Sequence, residues 1–407
     1  MRRTSLIAVL AVLTALFVGA SGRPPSSHWV ATWTSMPQLT EPSNMPPAPF
    51  TGTDRVLDNA SVRQTAHVSV GGPRIRLRFS NAFGGAVLPL SAVSVARPAG
   101  GAAGVPAVVP GSVLPVTFHG KPSTVVPMGA QVVSDPLPFP VRAGENISVT
   151  AYLAHGQASL SITSHPGSRT TSYLLAGDQV SAPDLPGATP VDHWYFLSGI
   201  ETLSPASAVA VIGDSISDGR GSTTNGNDRW PDVLASRIPS AVVNQAAGGN
   251  RVLQDGLGPN VLARLDRDLL ATSGVSQAIV FEGVNDIGTA APADADTVAA
   301  QLIDAYDQIL VRAHAQEIRV YGATITPFGG NTGYDTPERE AARQRVNAWI
   351  REPGHFDAVL DFDRVARDPA TPERLLPAYD VGDHLHLNPA GYRALGSSVP
   401  VQLFRAS

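Results

Sequence analysis

The sequence predicts an all-β, sandwich-like domain over residues 28–203, followed by an α/β domain with a parallel sheet over residues 206–407. Three observations predict this. From His28 to Leu203 the chain is rich in Gly, Pro, Ser and Val, and its apolar residues lack helical spacing. Within that region Arg74-Ile75-Arg76-Leu77-Arg78-Phe79-Ser80 alternates strictly, as a half-buried strand does. From Ala208 onward, short apolar runs alternate with longer helical patterns, the texture of βαβ units.

In the first domain, Val68-Ser69-Val70 is expected to pair with the alternating strand through a hairpin turn at Gly71-Gly72-Pro73. Residues 146–153 and 193–197 read as further strands, and residues 100–104 as a flexible loop. Prolines and glycines punctuate the region at intervals typical of a β-sandwich. In the second domain, strands are expected at 208–212, 241–244, 277–281, 318–324 and 358–362, and helices at 230–238, 261–270, 297–315 and 337–351. Thr336 before Pro337 is a helix cap followed by a first-turn proline. Residues 389–404 are expected to close the domain as a helix. Helices on both faces and right-handed crossovers suggest strand order 2-1-3-4-5, with a crevice beside the first strand.

Composition narrows the classes of function. The net charge is −5 and no basic stripe is present, so nothing favours nucleic acid as a partner. Arg2-Arg3, the apolar run 6–18 and the small residues Val18-Gly19-Ala20 have the three parts of a secretory signal. A signal peptide is therefore expected over residues 1–22, cleaved after Ala20 or Gly22, with secretion of the remainder; residues 23–27 read as a linker. The apolar run is shorter than the roughly 18 residues a membrane span requires, and no later segment reaches that length. No cysteine is present, so neither a disulfide framework nor a lipoprotein anchor is available.

The run Val209-Ala210-Val211-Ile212-Gly213-Asp214-Ser215 reads as a buried strand whose terminal turn lifts a serine to the C-terminal edge of the sheet. A serine hydroxyl is a weak nucleophile until a histidine removes its proton and a carboxylate orients that histidine. Asp383-His384-Leu385-His386 offers both partners. Asp383 and His386 are three apart, so one helical turn or tight loop sets them side by side, whereas the adjacent His384 should diverge. His386 is thus the expected base. The Gly-x-Ser-x-Gly elbow of α/β-hydrolases is absent, because Ser217 stands where its second glycine would be. Each piece also has a structural reading: Asp214 as a cap, Asn285-Asp286 as a strand-end turn, and 383–386 as a solvated loop. A metal site would need three or four convergent ligands, and no further histidine cluster accompanies His384 and His386. Neither metal nor cofactor is expected. Trp230, Arg251 and Phe328 lie near the relevant loops, as pocket lining or as packing.

Gly213-Asp214-Ser215, Ala247-Gly248-Gly249-Asn250-Arg251, Gly283-Val284-Asn285-Asp286 and Asp383-His384-Leu385-His386 resemble the four ordered blocks of the SGNH, or GDSL-type, hydrolases. The resemblance covers the second domain. The first, opening His28-Trp29-Val30-Ala31-Thr32-Trp33, resembles the accessory half of two-domain actinobacterial members. The family resemblance implies a flavodoxin-like three-layer α/β/α fold and ester hydrolysis. It implies Ser215 as nucleophile, His386 as base then acid, and Asp383 as the group that orients it. It implies an oxyanion hole from the Ser215 N–H, the Gly249 N–H and the Asn285 amide. Gly248 competes with Gly249, because many members have separated glycines here; the following Asn250-Arg251 favours Gly249. Leu387 stands where relatives often carry proline. The expected function is a secreted carboxylic ester hydrolase acting on acetyl or short acyl esters, with a small molecule or a polysaccharide as substrate. The competing expectation is a carbohydrate-binding or cell-wall protein with a vestigial hydrolase domain, which the intact Ser215, Asn285, Asp383 and His386 argue against.

Overall fold

The computed structural model describes residues 26–405, so the expected signal segment, residues 1–22, lies outside the described residues. The N-terminal region consists of antiparallel sheets. One sheet runs His28–Thr34, Leu197–Ser204, Ile75–Ser80 and Gln131–Val133 in spatial order. A second is centred on Ala60–His67 and Asn146–Leu153, flanked by Ser172–Ala176 and Ala92–Ala96. Leu77, Phe79 and Ile200 of the first share one core with Val62, Val149 and Leu174 of the second. The alternating strand buries Ile75, Leu77 and Phe79, while Arg76 and Arg78 pair with the buried Glu201.

The expected hairpin at Gly71-Gly72-Pro73 does not form. Ile75–Ser80 pairs with Leu197–Ser204 and Gln131–Val133, whereas the preceding strand ends at His67 and belongs to the other sheet. The segment between them crosses from sheet to sheet. The Ser69 N–H and hydroxyl donate to Thr32 O at 2.9 and 2.7 Å, and Val70 N–H donates to Thr32 Oγ1 at 2.9 Å. Burial of Val68 and Val70 outweighs the local turn preference. The expected strand 193–197 is likewise two strands, Trp194–Tyr195 and Leu197–Ser204, broken at Phe196 with φ 62°. Gly104, expected in a flexible loop, is tied by Thr65 Oγ1 to its N–H and by the Tyr173 hydroxyl to its carbonyl.

The C-terminal region is a five-stranded parallel sheet. Its strands are β1 (Ala208–Gly213), β2 (Ala241–Asn244), β3 (Val275–Phe281), β4 (Arg319–Ala323) and β5 (Ala358–Leu360). Their order is β2-β1-β3-β4-β5, the expected 2-1-3-4-5. β1 is buried at every residue, because a central parallel strand is covered on both faces. Helices Trp230–Ala235, Ala295–His314, Pro337–Arg351 and Pro389–Ser398 lie near their expected positions. The expected helix 261–270 is α only over Val261–Leu265 and continues as a π turn, Asp266–Leu270. The last helix stops before Pro400, which cannot donate to a continuing helix, and Val401–Phe404 is a separate 3-10 turn. No helix among the described residues is long and apolar enough to cross a membrane.

The two regions are pinned together. Ala31 N–H donates to Ser273 O at 2.9 Å and Thr34 Oγ1 to Asn244 O at 3.0 Å. Val242 N–H donates to Ser69 Oγ at 3.1 Å, and Ser273 Oγ donates to Glu201 at 2.9 Å. The β-region therefore lies along the β2 edge of the parallel sheet and against the segment that leads into β3.

Candidate active site

β1 ends at Gly213, where a Cβ would lie 2.5 Å from Ser217 Oγ; only glycine lets the next turn fold back this closely. Asp214 caps that turn, its Oδ1 accepting the Ile216 N–H at 2.9 Å. Ser215–Asp218 is a single helical turn, and Ser215, as its first residue, has an N–H with no intrahelical acceptor. Its Oγ lies 2.8 Å from His386 Nε2.

The Asp383–His386 pair is set by a tight loop. Asp383 Oδ1 accepts the Leu385 and His386 N–H groups at 3.0 and 2.8 Å, and Oδ2 lies 2.6 Å from His386 Nδ1. Nδ1 faces a carboxylate and therefore carries the hydrogen, which leaves Nε2 to accept from the serine hydroxyl. His384, with φ 61°, turns away to Asp380 at 2.6 Å. The loop is held without a proline: Leu387 is buried, and Asn388 N–H donates to Tyr379 O at 2.8 Å. Burial lowers the His386 pKa below its usual value, and Arg220 adds to this while Asp383 opposes it. For Asp383, burial alone would raise the pKa, but the His386 N–H and imidazole outweigh it and hold the carboxyl below its usual value.

On the other side of Ser215, the two glycines separate. Gly248 N–H donates to Asp218 Oδ2 at 3.1 Å. Gly249, at φ 70°, has no acceptor for its N–H among the described residues, so it is the open donor. Asn285 donates from Nδ2 to Asn250 O at 2.9 Å and accepts from the Tyr334 hydroxyl at 2.7 Å. A primary amide has two hydrogens, and the second of Asn285 has no acceptor among the described residues. Asp286 accepts the Val252 and Leu253 N–H groups at 2.9 Å each, fixing the loop that follows the glycines. Ser215, Gly249, Asn285 and His386 border one cavity of about 420 Å³. Its far wall comes from the β-region: Pro166, Gly167, Arg169, Asp192 and His193.

Residues 211–394 match the model of the GDSL-like lipase/acylhydrolase family. The C-terminal domain belongs to this family. No curated protein matches the chain. Among solved structures, a lipolytic protein of the G-D-S-L family from Desulfitobacterium hafniense is 22% identical, with 47% of this chain and 97% of that one covered, at TM-score 0.37. An acetyl xylan esterase is 19% identical over 47% of this chain and 96% of its own, also at 0.37. A lipase/acylhydrolase from Enterococcus faecalis is 18% identical over 47% and 92%, at 0.36.

Sequence reasoning missed Tyr334, which orients the Asn285 amide in the GDSL-like domain, and every cavity residue from the β-region. Nothing local to Asn331-Thr332-Gly333-Tyr334 marks it as more than a turn. Trp230 and Phe328 are packing residues: both are fully buried, and Trp230 Nε1 donates to Ser217 Oγ at 3.1 Å. Arg251 does not border the cavity either.

Among the carboxyl groups that the GDSL-like domain buries are Asp214, Glu282 and Asp286. Burial raises all three: Asp214 is pushed up to about 7, and Glu282 rises well above its usual value, further raised by Asp214 and opposed by Arg264. Glu282 Oε1 has no hydrogen-bond partner, and Arg264 Nη2 is 3.8 Å from it. A carboxyl whose folded pKa exceeds its unfolded one contributes fully at acid pH, and that contribution is lost as pH rises through the folded pKa. Glu282→Gln is therefore expected to leave Tm nearly unchanged at about pH 5 and to raise it above wild type at about pH 9. Thermal denaturation across that range checks this; a lower Tm for the variant at high pH would show that Glu282 works as a stabilising charge.

Proposed function

We propose that the protein is a secreted serine esterase that hydrolyses carboxylic esters of acetyl or other short acyl groups, polysaccharide esters among them. One observation carries the reading: Ser215, His386 and Asp383 form a continuous hydrogen-bonded chain beside two open N–H donors at the edge of a cavity. The family supports a hydrolase that acts on esters. Arg2-Arg3 and the apolar run after it support export. The cavity, at about 420 Å³, falls in the lower part of the range of small-molecule sites.

In this reading Ser215 Oγ attacks the ester carbonyl while His386 Nε2 takes its proton. The carbonyl oxygen becomes an oxyanion, held by the Ser215 and Gly249 N–H groups and the second Asn285 hydrogen. His386 returns the proton to the departing alkoxide, leaving an acyl-enzyme. Water then attacks with His386 again as base, and the Ser215–acyl bond breaks as His386 passes that proton to Ser215 Oγ, releasing the acid. Asp383 keeps the imidazole in the tautomer that both halves need.

The test is hydrolysis of p-nitrophenyl esters of rising chain length and of acetylated glycans, with a fluorophosphonate probe mapped by mass spectrometry. Turnover of short esters and labelling at Ser215 are expected. No turnover of any ester together with no labelling overturns the reading.

The lowered His386 pKa sets the acid limb. His386 accepts a proton only when neutral, so kcat/KM should rise with pH at a midpoint below 6.5, the ordinary value for histidine. Because the Arg220 charge lowers that pKa, Arg220→Gln should move the limb toward higher pH. Profiles of both proteins decide it, and an unmoved or acid-shifted limb in the variant would contradict the assignment of the limb to His386.

A further inference from the structure

We propose that His165, in the β-region, is a positioning residue of the hydrolase site: through Asp218 it holds the Gly248-Gly249 loop so that the Gly249 N–H meets the oxyanion. This rests on the esterase reading above.

His165 ends the strand Thr163–His165, which pairs with Trp194–Tyr195 and Gln38–Leu39. It is 3% exposed and Asp218 4%. His165 Nδ1 lies 2.9 Å from Met36 O, and a carbonyl only accepts, so Nδ1 carries a hydrogen. Nε2 lies 2.8 Å from Asp218 Oδ1, whose carboxylate also accepts. With both ring nitrogens donating, the ring is an imidazolium. Burial alone would lower the His165 pKa, but the Asp218 carboxylate, helped by Met36 O, outweighs it and the pKa is raised; Arg229 opposes. Trp194 stacks on the ring at 5.7 Å and 29°, and the Arg229 guanidinium lies 5.7 Å from the Trp194 ring.

The second Asp218 oxygen takes the Gly248 N–H at 3.1 Å. One carboxylate thus joins the helical turn of Ser215 to the residue before Gly249. Gly167 closes against the same oxygen, where a Cβ would come within 1.8 Å. Asp218 has no freedom to choose another rotamer while His165 grips its first oxygen. Remove His165, and a buried carboxylate loses its counter-charge, which strongly destabilises that arrangement. The glycine loop is then no longer fixed. An oxyanion donor displaced by about 1 Å costs up to about 10² in rate. The β-region, on this view, is part of the catalytic apparatus.

The test uses the full chain. His165→Leu should lower kcat for p-nitrophenyl acetate by about tenfold or more while KM changes by less than about twofold, because an oxyanion donor acts on developing charge. Backbone amides of residues 246–251 should exchange faster with deuterium. Asp218→Asn should behave likewise, and the double variant should be no worse than the worse single one, since both act on one contact. His165→Gln, whose amide can still donate to Asp218 but supplies no counter-charge, should recover part of the kcat that His165→Leu loses. A His165→Leu protein with lowered Tm but wild-type kcat and exchange overturns the proposal and makes His165 an interface packing residue. If His165→Leu does not fold, Asp218→Asn decides, and wild-type kcat and exchange there overturn it equally. A wild type that turns over no ester sinks the esterase reading instead, and the exchange measurement still decides whether His165 positions the glycines.

Discussion

Ser215→Ala is expected to give a folded protein whose ester turnover is about a thousandfold or more below wild type. The hydroxyl's side-chain hydrogen bond is to His386, and the residue is 8% exposed at the cavity edge, so its removal leaves the surrounding packing intact. The chemistry, by contrast, loses its nucleophile. Residual turnover should come from the oxyanion donors and from binding alone, which sustain a small rate above water in serine hydrolases. Circular dichroism and Tm read the fold, and p-nitrophenyl acetate reads the activity. A folded Ser215→Ala protein with wild-type turnover would remove Ser215 from the mechanism.

The second large effect separates two histidines that stand two residues apart. His386→Ala should lose turnover by about a thousandfold or more, because its Nε2 faces Ser215 at 2.8 Å and its Nδ1 faces Asp383 at 2.6 Å. His384→Ala should keep most of it. That side chain is half-exposed and pairs with Asp380, and such a surface pair contributes little. Asp383→Asn should also be severely impaired, because it offers the imidazole the wrong hydrogen-bonding partner. The reverse pattern, a dead His384 variant beside an active His386 variant, would overturn the triad while leaving Ser215 in place.

The sequence by itself determined what short-range pattern can express. Apolar runs of strand length alternating with helical spacing specified the five parallel strands, because burial on both faces writes a continuous apolar run. Right-handed crossovers in a doubly wound sheet gave their 2-1-3-4-5 order. The three-residue spacing of Asp383 and His386 brought those side chains together locally, and the turn after β1 presented Ser215. The tertiary structure alone decided the rest. The Gly71-Gly72-Pro73 hairpin failed because Val68 and Val70 are buried by a strand from elsewhere in the chain, which outweighs a local turn. Gly249 rather than Gly248 is open because Asp218, 30 residues earlier, occupies the Gly248 N–H. Tyr334 reaches Asn285 across 49 residues, and His165 reaches Asp218 across 53 and from the other region. Periodicity reports which face of an element is buried, but a polar group's partner is chosen through space, after folding has brought distant segments within about 3 Å of each other.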